Sequence, residues 1–304
     1  MPQHPSFDQN ESRNIDGKRP APGAAGSTAP RRPFFDSAEP GLGVLNPNAG
    51  REKFRLLRYS PAPELADLVR HYWTVDWDLG DSAAYRQEVV PNPCVNLVIE
   101  PGRTFCFAPT PERFSYPLSG RGKVFGVKFR PGGFYPLLRR PLSDFAGIPI
   151  PVDRIIAAEA KELEEALHSR TSEELVDLLD ALLLGAAPER DRESELAREI
   201  ADRIAEDREL TKVDALCEAF SIEKRTLQRL FGSRIGLSPK WVIRLHRLQE
   251  AAEALESRGS DGARPKLLAL SHDLGYHDQT HFIKDFKSVI GVTPEAYALG
   301  ARSR

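Results

Sequence analysis

The stretch LLALSHDLGYHDQTHFIKDFKSVIGVTPEAY (267–297) decides how the rest of the chain is read. Leu270 and Leu274 stand four residues apart, on one face of a short helix. Gly275 supplies the left-handed conformation that ends it cheaply. Asp278 caps the next helix start, and Phe282 and Phe286 repeat the four-residue spacing. Gly291 and Thr293-Pro294 stop the pattern. Two short helices joined by a tight glycine-bearing turn are the outline of a helix-turn-helix.

A second copy lies upstream. LQRLFGSRIGLSP (227–239) aligns without gaps on FIKDFKSVIGVTP (282–294). Phe231, Ser233, Ile235, Gly236 and Pro239 recur as Phe286, Ser288, Ile290, Gly291 and Pro294. In the preceding helices Leu216 and Phe220 stand for Leu270 and Leu274, and the second turn is one residue longer. Such self-similarity marks two copies of one supersecondary unit.

The segment from about 195 to 301 resembles the DNA-binding domain of the AraC/XylS family of bacterial transcription regulators. The resemblance rests on TLQRLF (226–231), GLSPK (236–240), the helix WVIRLHRLQEA (241–251), LGYHDQTHFIKDFK (274–287) and GVTP (291–294), in the family's order and spacing. Ser221 departs from the pattern where Gly is common in the first turn. Glu223 stands where a Ser cap is common, so the first reading helix is expected to be less firmly anchored.

An α-helix fits the DNA major groove, where each base pair shows its own donor and acceptor pattern. The reading helices are expected over 224–232 and 279–288. With Leu227, Leu230, Phe231, Phe282 and Phe286 facing the core, Arg225, Thr226, Gln228 and Arg229 project from the first, and Gln279, Thr280, His281 and Lys284 from the second. These positions match those through which the family contacts bases and backbone. Arg229 and Gln228 suit base readout, because Arg pairs bidentately with guanine and Gln with adenine; Lys284 and Lys240 suit phosphate. His277 is a further phosphate candidate.

Global charge does not advertise nucleic acid: 42 basic and 44 acidic residues leave a net −2. Locally, Lys224, Arg225, Arg229, Arg234, Lys240, Arg244 and Arg247 form a run without Asp or Glu among them, which reads as a phosphate footprint or as a solvated helix face. Cys94, Cys106 and Cys217 are too few and scattered for a disulfide framework or zinc site, and read as reduced, buried thiols of a cytosolic protein. No apolar run reaches membrane-spanning length, and no hydrophobic signal core opens the chain. The expected location is the cytoplasm, with nucleoid association when DNA is bound.

Outward from the repeat, residues 1–52 are rich in Pro, Ser, Gly and Ala and read as a disordered tail. Residues 53–150 read as a β-rich domain of short strands broken by Pro and Gly, a sandwich or barrel. In it HYWTVDWD (71–78) alternates, with Trp73, Val75 and Trp77 on one face and Thr74, Asp76 and Asp78 on the other. YWTVDWDL (72–79), VVPNPCVNLVIE (89–100) and GVKFRPGGFYPLL (126–138) are similar to the N-terminal domain of a subset of AraC-type regulators, which implies a cupin-like barrel that senses a small-molecule effector.

A cupin metal would need clustered His and carboxylate ligands. His71 stands alone beside Tyr72 and Trp73 and reads as a packed or hydrogen-bonded residue, so no metal or cofactor is expected. Residues 151–193 read as a helical connector whose leucine stripe either contacts a second subunit or packs on the barrel. Residues 194–302 form the DNA-binding domain, with helix-turn-helix units at about 212–232 and 266–288 joined by a long helix.

The whole is therefore α+β: a β-rich N-terminal domain and an all-α C-terminal domain. The function expected is a sequence-specific, effector-responsive transcriptional regulator on double-stranded promoter DNA, with RNA polymerase and a homodimer as further partners, and not an enzyme. The alternatives are a sensor whose helical domain binds a protein partner and an enzyme fused to a DNA-binding unit. For the latter, Cys94 and Cys106 have no His or basic cluster nearby in sequence.

Overall fold

The computed structural model describes residues 33–36, 53–80, 84–186, 189–256 and 266–300. The tail expected over 1–52 lies almost wholly outside the described residues. The β-rich half is a seven-stranded antiparallel sheet with a separate two-stranded ribbon. In chain order the strands are β1 (Phe35–Asp36), β2 (Phe54–Tyr59), β3 (Val69–Asp78), β4 (Tyr85–Val89), β5 (Asn96–Ile99), β6 (Phe105–Phe107), β7 (Phe114–Leu118), β8 (Arg121–Phe129) and β9 (Ile150–Pro151). The sheet runs β1-β2-β3-β8-β5-β6-β9, and β4 pairs with β7 as the ribbon.

Both faces of this sheet are covered, which alters the reading of β3. Tyr72 and Thr74 are fully buried in the main core with Leu97, Phe125, Val127 and Phe129. Thr74 tolerates that burial because its hydroxyl donates to the Val124 carbonyl at 3.1 Å. Trp73, Val75 and Trp77 face the other way, onto a smaller cluster with Phe54, Leu56, Leu118, Tyr85 and Tyr116 beneath the ribbon. The indoles of Trp73 and Trp77 lie over Gly126 and Gly122, their cross-strand partners, where any Cβ would collide with the rings. The Tyr116 hydroxyl donates to Glu100 at 2.5 Å and ties the ribbon to the sheet.

Helices close the main core. A short α1 (Tyr135–Leu138) follows β8, then α2 (Ala160–Ser169) and α3 (Ser172–Ala186). Leu175, Val176, Leu179 and Leu183 of α3 are buried against the sheet, so the leucine stripe packs on the β-rich half of its own chain. Asp180 anchors it by accepting from the Tyr72 hydroxyl at 2.6 Å and from Ala62 N at 3.2 Å.

The C-terminal half is all helical: α4 (Arg192–Glu206), α5 (Val213–Ala219), α6 (Lys224–Arg234), α7 (Pro239–Glu256), α8 (Leu267–Asp273), α9 (Gln279–Ile290) and α10 (Pro294–Gly300). Each repeat has its own core, and α7 serves both. Val242 and Ile243 join Ile200, Leu216, Leu227 and Phe231; one turn on, Leu245, Leu248 and Ala251 join Leu270, Phe282 and Phe286. Trp241 packs against both cores. No helix among the described residues is long and apolar enough to cross a membrane.

Candidate nucleic-acid interface

The two turns are built alike. In the first, Phe220 N donates to Leu216 O and Ile222 N to Cys217 O, both at 3.0 Å. In the second, Leu274 N donates to Leu270 O at 3.1 Å and Tyr276 N to Ser271 O at 2.8 Å. Both need a residue in the left-handed region, supplied at φ +72° by Gly275 and at φ +50° by Ser221. The caps differ as well. Asp278 accepts from His281 N at 2.8 Å, whereas Glu223 makes no side-chain cap. Helix α6 thus starts with weaker local support than α9.

On α6 the core positions Leu227, Leu230 and Phe231 are buried, and Lys224, Arg225, Gln228 and Arg229 are exposed while Thr226 is half-buried. Arg225, Gln228 and Arg229 have no side-chain partner among the described residues. Lys224 is drawn back to Asp214 at 2.9 Å, which raises its pKa. On α9, Thr280, His281 and Lys284 are exposed and Gln279 half-buried; Lys240 at the start of α7 is exposed. His281 packs edge-on against Tyr276 with ring centroids 5.4 Å apart. His277 is exposed in the second turn.

Three members of the basic run are not surface cations. Arg234 is buried; it pairs with Asp191 at 2.8 Å and Glu193 at 2.6 Å, and its guanidinium lies 3.6 Å from the Tyr135 ring centroid. Burial opposes ionisation of Asp191, yet Arg234 and Ser194 hold its carboxyl below the ordinary range. Arg244 pairs with Asp285 at 2.9 Å and donates to Ser288 at 2.5 Å. Arg247 stacks on Tyr276 at 4.1 Å, and Tyr276 donates to Asp285 at 3.2 Å.

This seam fastens α7 to α9. Its partners come from other segments, so the charge run alone did not show it. Cys217 is half-buried rather than buried, because it packs at the edge of the first repeat's core; Cys94 and Cys106 are buried, and all three thiols are free. Among the described residues no group of His, Cys, Asp and Glu is placed to hold a metal ion.

Residues 216–299 match the family model described as "Helix-turn-helix domain", and residues 57–151 match "Domain of unknown function (DUF6597)". An "Uncharacterized HTH-type transcriptional regulator" of Haemophilus influenzae is 29% identical over 85 residues, covering 28% of this chain and 27% of that protein.

Among solved structures, the C-terminal domain of the two-component response regulator yesN from Fusobacterium nucleatum is 20% identical. That match covers 36% of this chain and 99% of the other at a TM-score of 0.30. The DNA-binding domain of AdpA, solved in complex with a target DNA, is 21% identical, covering 38% and 96%, with a TM-score of 0.30. ToxT from Vibrio cholerae with a bound unsaturated fatty acid is 12% identical, covering 86% and 96%, with a TM-score of 0.34.

Proposed function

We propose that this chain, whose residues 216–299 match a helix-turn-helix family model, is a sequence-specific DNA-binding transcriptional regulator of the AraC type, acting by recognition rather than catalysis. One observation carries the reading. Two equivalent helices, α6 and α9, hold their apolar faces in separate cores on one shared helix and present Arg225, Gln228 and Arg229, and Thr280, His281 and Lys284, to solvent.

In this reading each helix enters a major-groove segment, the two lying about 34 Å apart on one face of the duplex. Arg229 and Gln228 read base edges through bidentate hydrogen bonds, with Arg225, Thr226, Gln279, Thr280 and His281 beside them. Lys284, Lys240 and Lys224 neutralise phosphates, Lys224 exchanging Asp214 for DNA. His277 adds a phosphate contact in the second turn. RNA polymerase and a second copy of the chain are the protein partners this reading admits.

The β-rich half is the effector-sensing part. Two contacts support that role: its Leu142 lies against Gly236 of the first repeat, and its Arg113 against Gly291 of the second. A change of shape in the β-rich half therefore reaches both readers.

The test is selection from random double-stranded DNA by the full chain, followed by titration at several salt concentrations. Saturable, sequence-selective binding with a steep salt slope, weakened in the Arg229→Ala/Lys284→Ala double variant, is the expected result. A selection that enriches no sequence overturns the reading.

A further inference from the structure

One row of side chains on the ribbon-facing side of the large sheet crosses four strands. His71 of β3 stands opposite Lys128 of β8, Lys128 opposite Asn96 of β5, and Asn96 opposite Phe107 of β6. Strand alternation puts all four on the face away from buried Leu97, Val127 and Phe129. At ordinary strand spacing the row is roughly 14 Å long.

A bulge makes this row cationic. The β3–β8 register slips between Val69 and His71, leaving Arg70 as an extra residue. Bulges of this kind re-aim side chains, and Arg70 comes within electrostatic reach of both His71 and Lys128. Arg58, one row over opposite Trp73, and Arg130, next after β8, add their fields. Among the described residues, no carboxylate pairs with Arg70, His71 or Lys128.

Lys128 is half-buried and without a hydrogen-bond partner among the described residues, and burial is the main force lowering its pKa. An ammonium so placed is costly until a counter-charge meets it. His71 is held neutral, at about 2, by burial and then by Lys128 and the arginines, so it offers a ring N–H without adding charge. Asn96 is oriented by donation to the Cys94 carbonyl at 3.3 Å. Next to this polar end the floor is aromatic, with the Trp73 indole over Gly126 and Phe107 edge-on to Phe105 at 6.4 Å, the Arg103 guanidinium lying 5.5 Å from the Phe107 ring centroid.

We propose that this face of the sheet binds a small organic anion, its carboxylate or phosphate head at Lys128, Arg70 and Asn96 and its apolar body along Trp73 and Phe107. The inference rests on the reading of the β-rich half as a sensing domain and names the class of effector that domain takes.

The test is calorimetric titration of the DNA-free full chain with phenylacetate, phenyl phosphate and neutral phenylacetamide. Saturable binding of one charged probe, none of the amide, and a loss of about tenfold or more in Lys128→Gln and Arg70→Gln are expected. Which charged probe binds distinguishes a carboxylate from a phosphate head. A thermal melt of each variant, matched to the parent, shows that lost binding is not lost folding. No saturable binding of either charged probe, equal binding of the amide, or undiminished binding by Lys128→Gln overturns the proposal. Because no DNA is present, such a failure is separate from a failure of the DNA selection.

Discussion

Leu142 and Gly236 touch: a Cβ placed on Gly236 would stand 3.1 Å from the Leu142 Cβ. The equivalent glycine of the second repeat, Gly291, is covered in the same way by the Arg113 guanidinium, which fills the space a Cβ would need. Both glycines take positive φ, +88° and +100°. The β-rich half therefore grips both repeats at one structural position, just past the ends of α6 and α9.

Gly236→Ala should therefore be destabilising on two counts. The left-handed backbone costs a non-glycine residue about 1–2 kcal/mol, and the new methyl must displace Leu142. Urea unfolding of the variant should show a loss of about that size or more. An unchanged midpoint would mean that the contact yields freely and does not couple the halves.

The first turn offers the opposite experiment. Ser221 holds φ +50° where its counterpart is Gly275, and Glu223 leaves uncapped the helix start that Asp278 caps in the second repeat. Ser221→Gly should relieve strain, offset in part by the greater flexibility of glycine when unfolded, for a net gain of about 0.5–1 kcal/mol. Glu223→Ser should add about 0.5–1 kcal/mol by capping α6. Denaturant midpoints of the single and double variants check both, and a fall in stability for either would contradict the assignment of strain.

These departures were legible in the sequence because a turn is a local matter: Ser221 and Glu223 stand out against the residues usual at those positions in the family the segment resembles. The same holds for the core positions of α6 and α9, set by four-residue spacing. What stayed hidden depends on pairing across long separations. Arg234 looks like a phosphate-binding cation until Asp191, Glu193 and Tyr135 are brought around it. The cation at Arg70 depends on a bulge that alternation cannot reveal, and β3 reads as one-sided because nothing local shows that the β4–β7 ribbon covers its second face. The contacts of Leu142 and Arg113 join segments about a hundred or more residues apart and have no local signature.

The seam between α7 and α9 should matter for stability without touching DNA. Asp285 accepts from Tyr276 and pairs with Arg244, whose Nε is buried without a partner. Asp285→Ala leaves the half-buried guanidinium uncompensated, at a cost of about 1–3 kcal/mol. The expected outcome is earlier unfolding together with weaker DNA binding, since the second reader loses its fixed angle. DNA affinity unchanged at equal occupancy of the folded state would show that the seam does not orient the reader.

Base and phosphate contacts separate by their salt and sequence dependence. Gln228→Ala or Arg229→Ala should cost about 1–3 kcal/mol on the preferred sequence and relax preference at one position. Lys284→Ala should weaken binding nearly uniformly across sequences and reduce the salt slope by about one. Binding isotherms on matched and mismatched duplexes at several salt concentrations check both, and a uniform loss from Arg229→Ala would reassign that residue to the backbone.

Acid should destabilise the folded chain through His246. Burial, and then the charge of Arg70, hold its imidazole at about 4, below the ordinary 6.5. Above pH 6.5 the group is neutral in both folded and unfolded chains and contributes no pH dependence. Between about 6.5 and 4 the unfolded chain takes up a proton that the folded chain refuses, so stability falls as pH falls, by up to about 1.4 kcal/mol per pH unit for one group. His71, held at about 2 by burial and its cationic neighbours, acts in the same direction and carries the loss below pH 4. Urea unfolding between pH 7.5 and 4.5 should therefore show a shallower pH dependence in His246→Gln than in the parent. Parallel curves would show that His246 takes up its proton as readily in the folded chain as in the unfolded one.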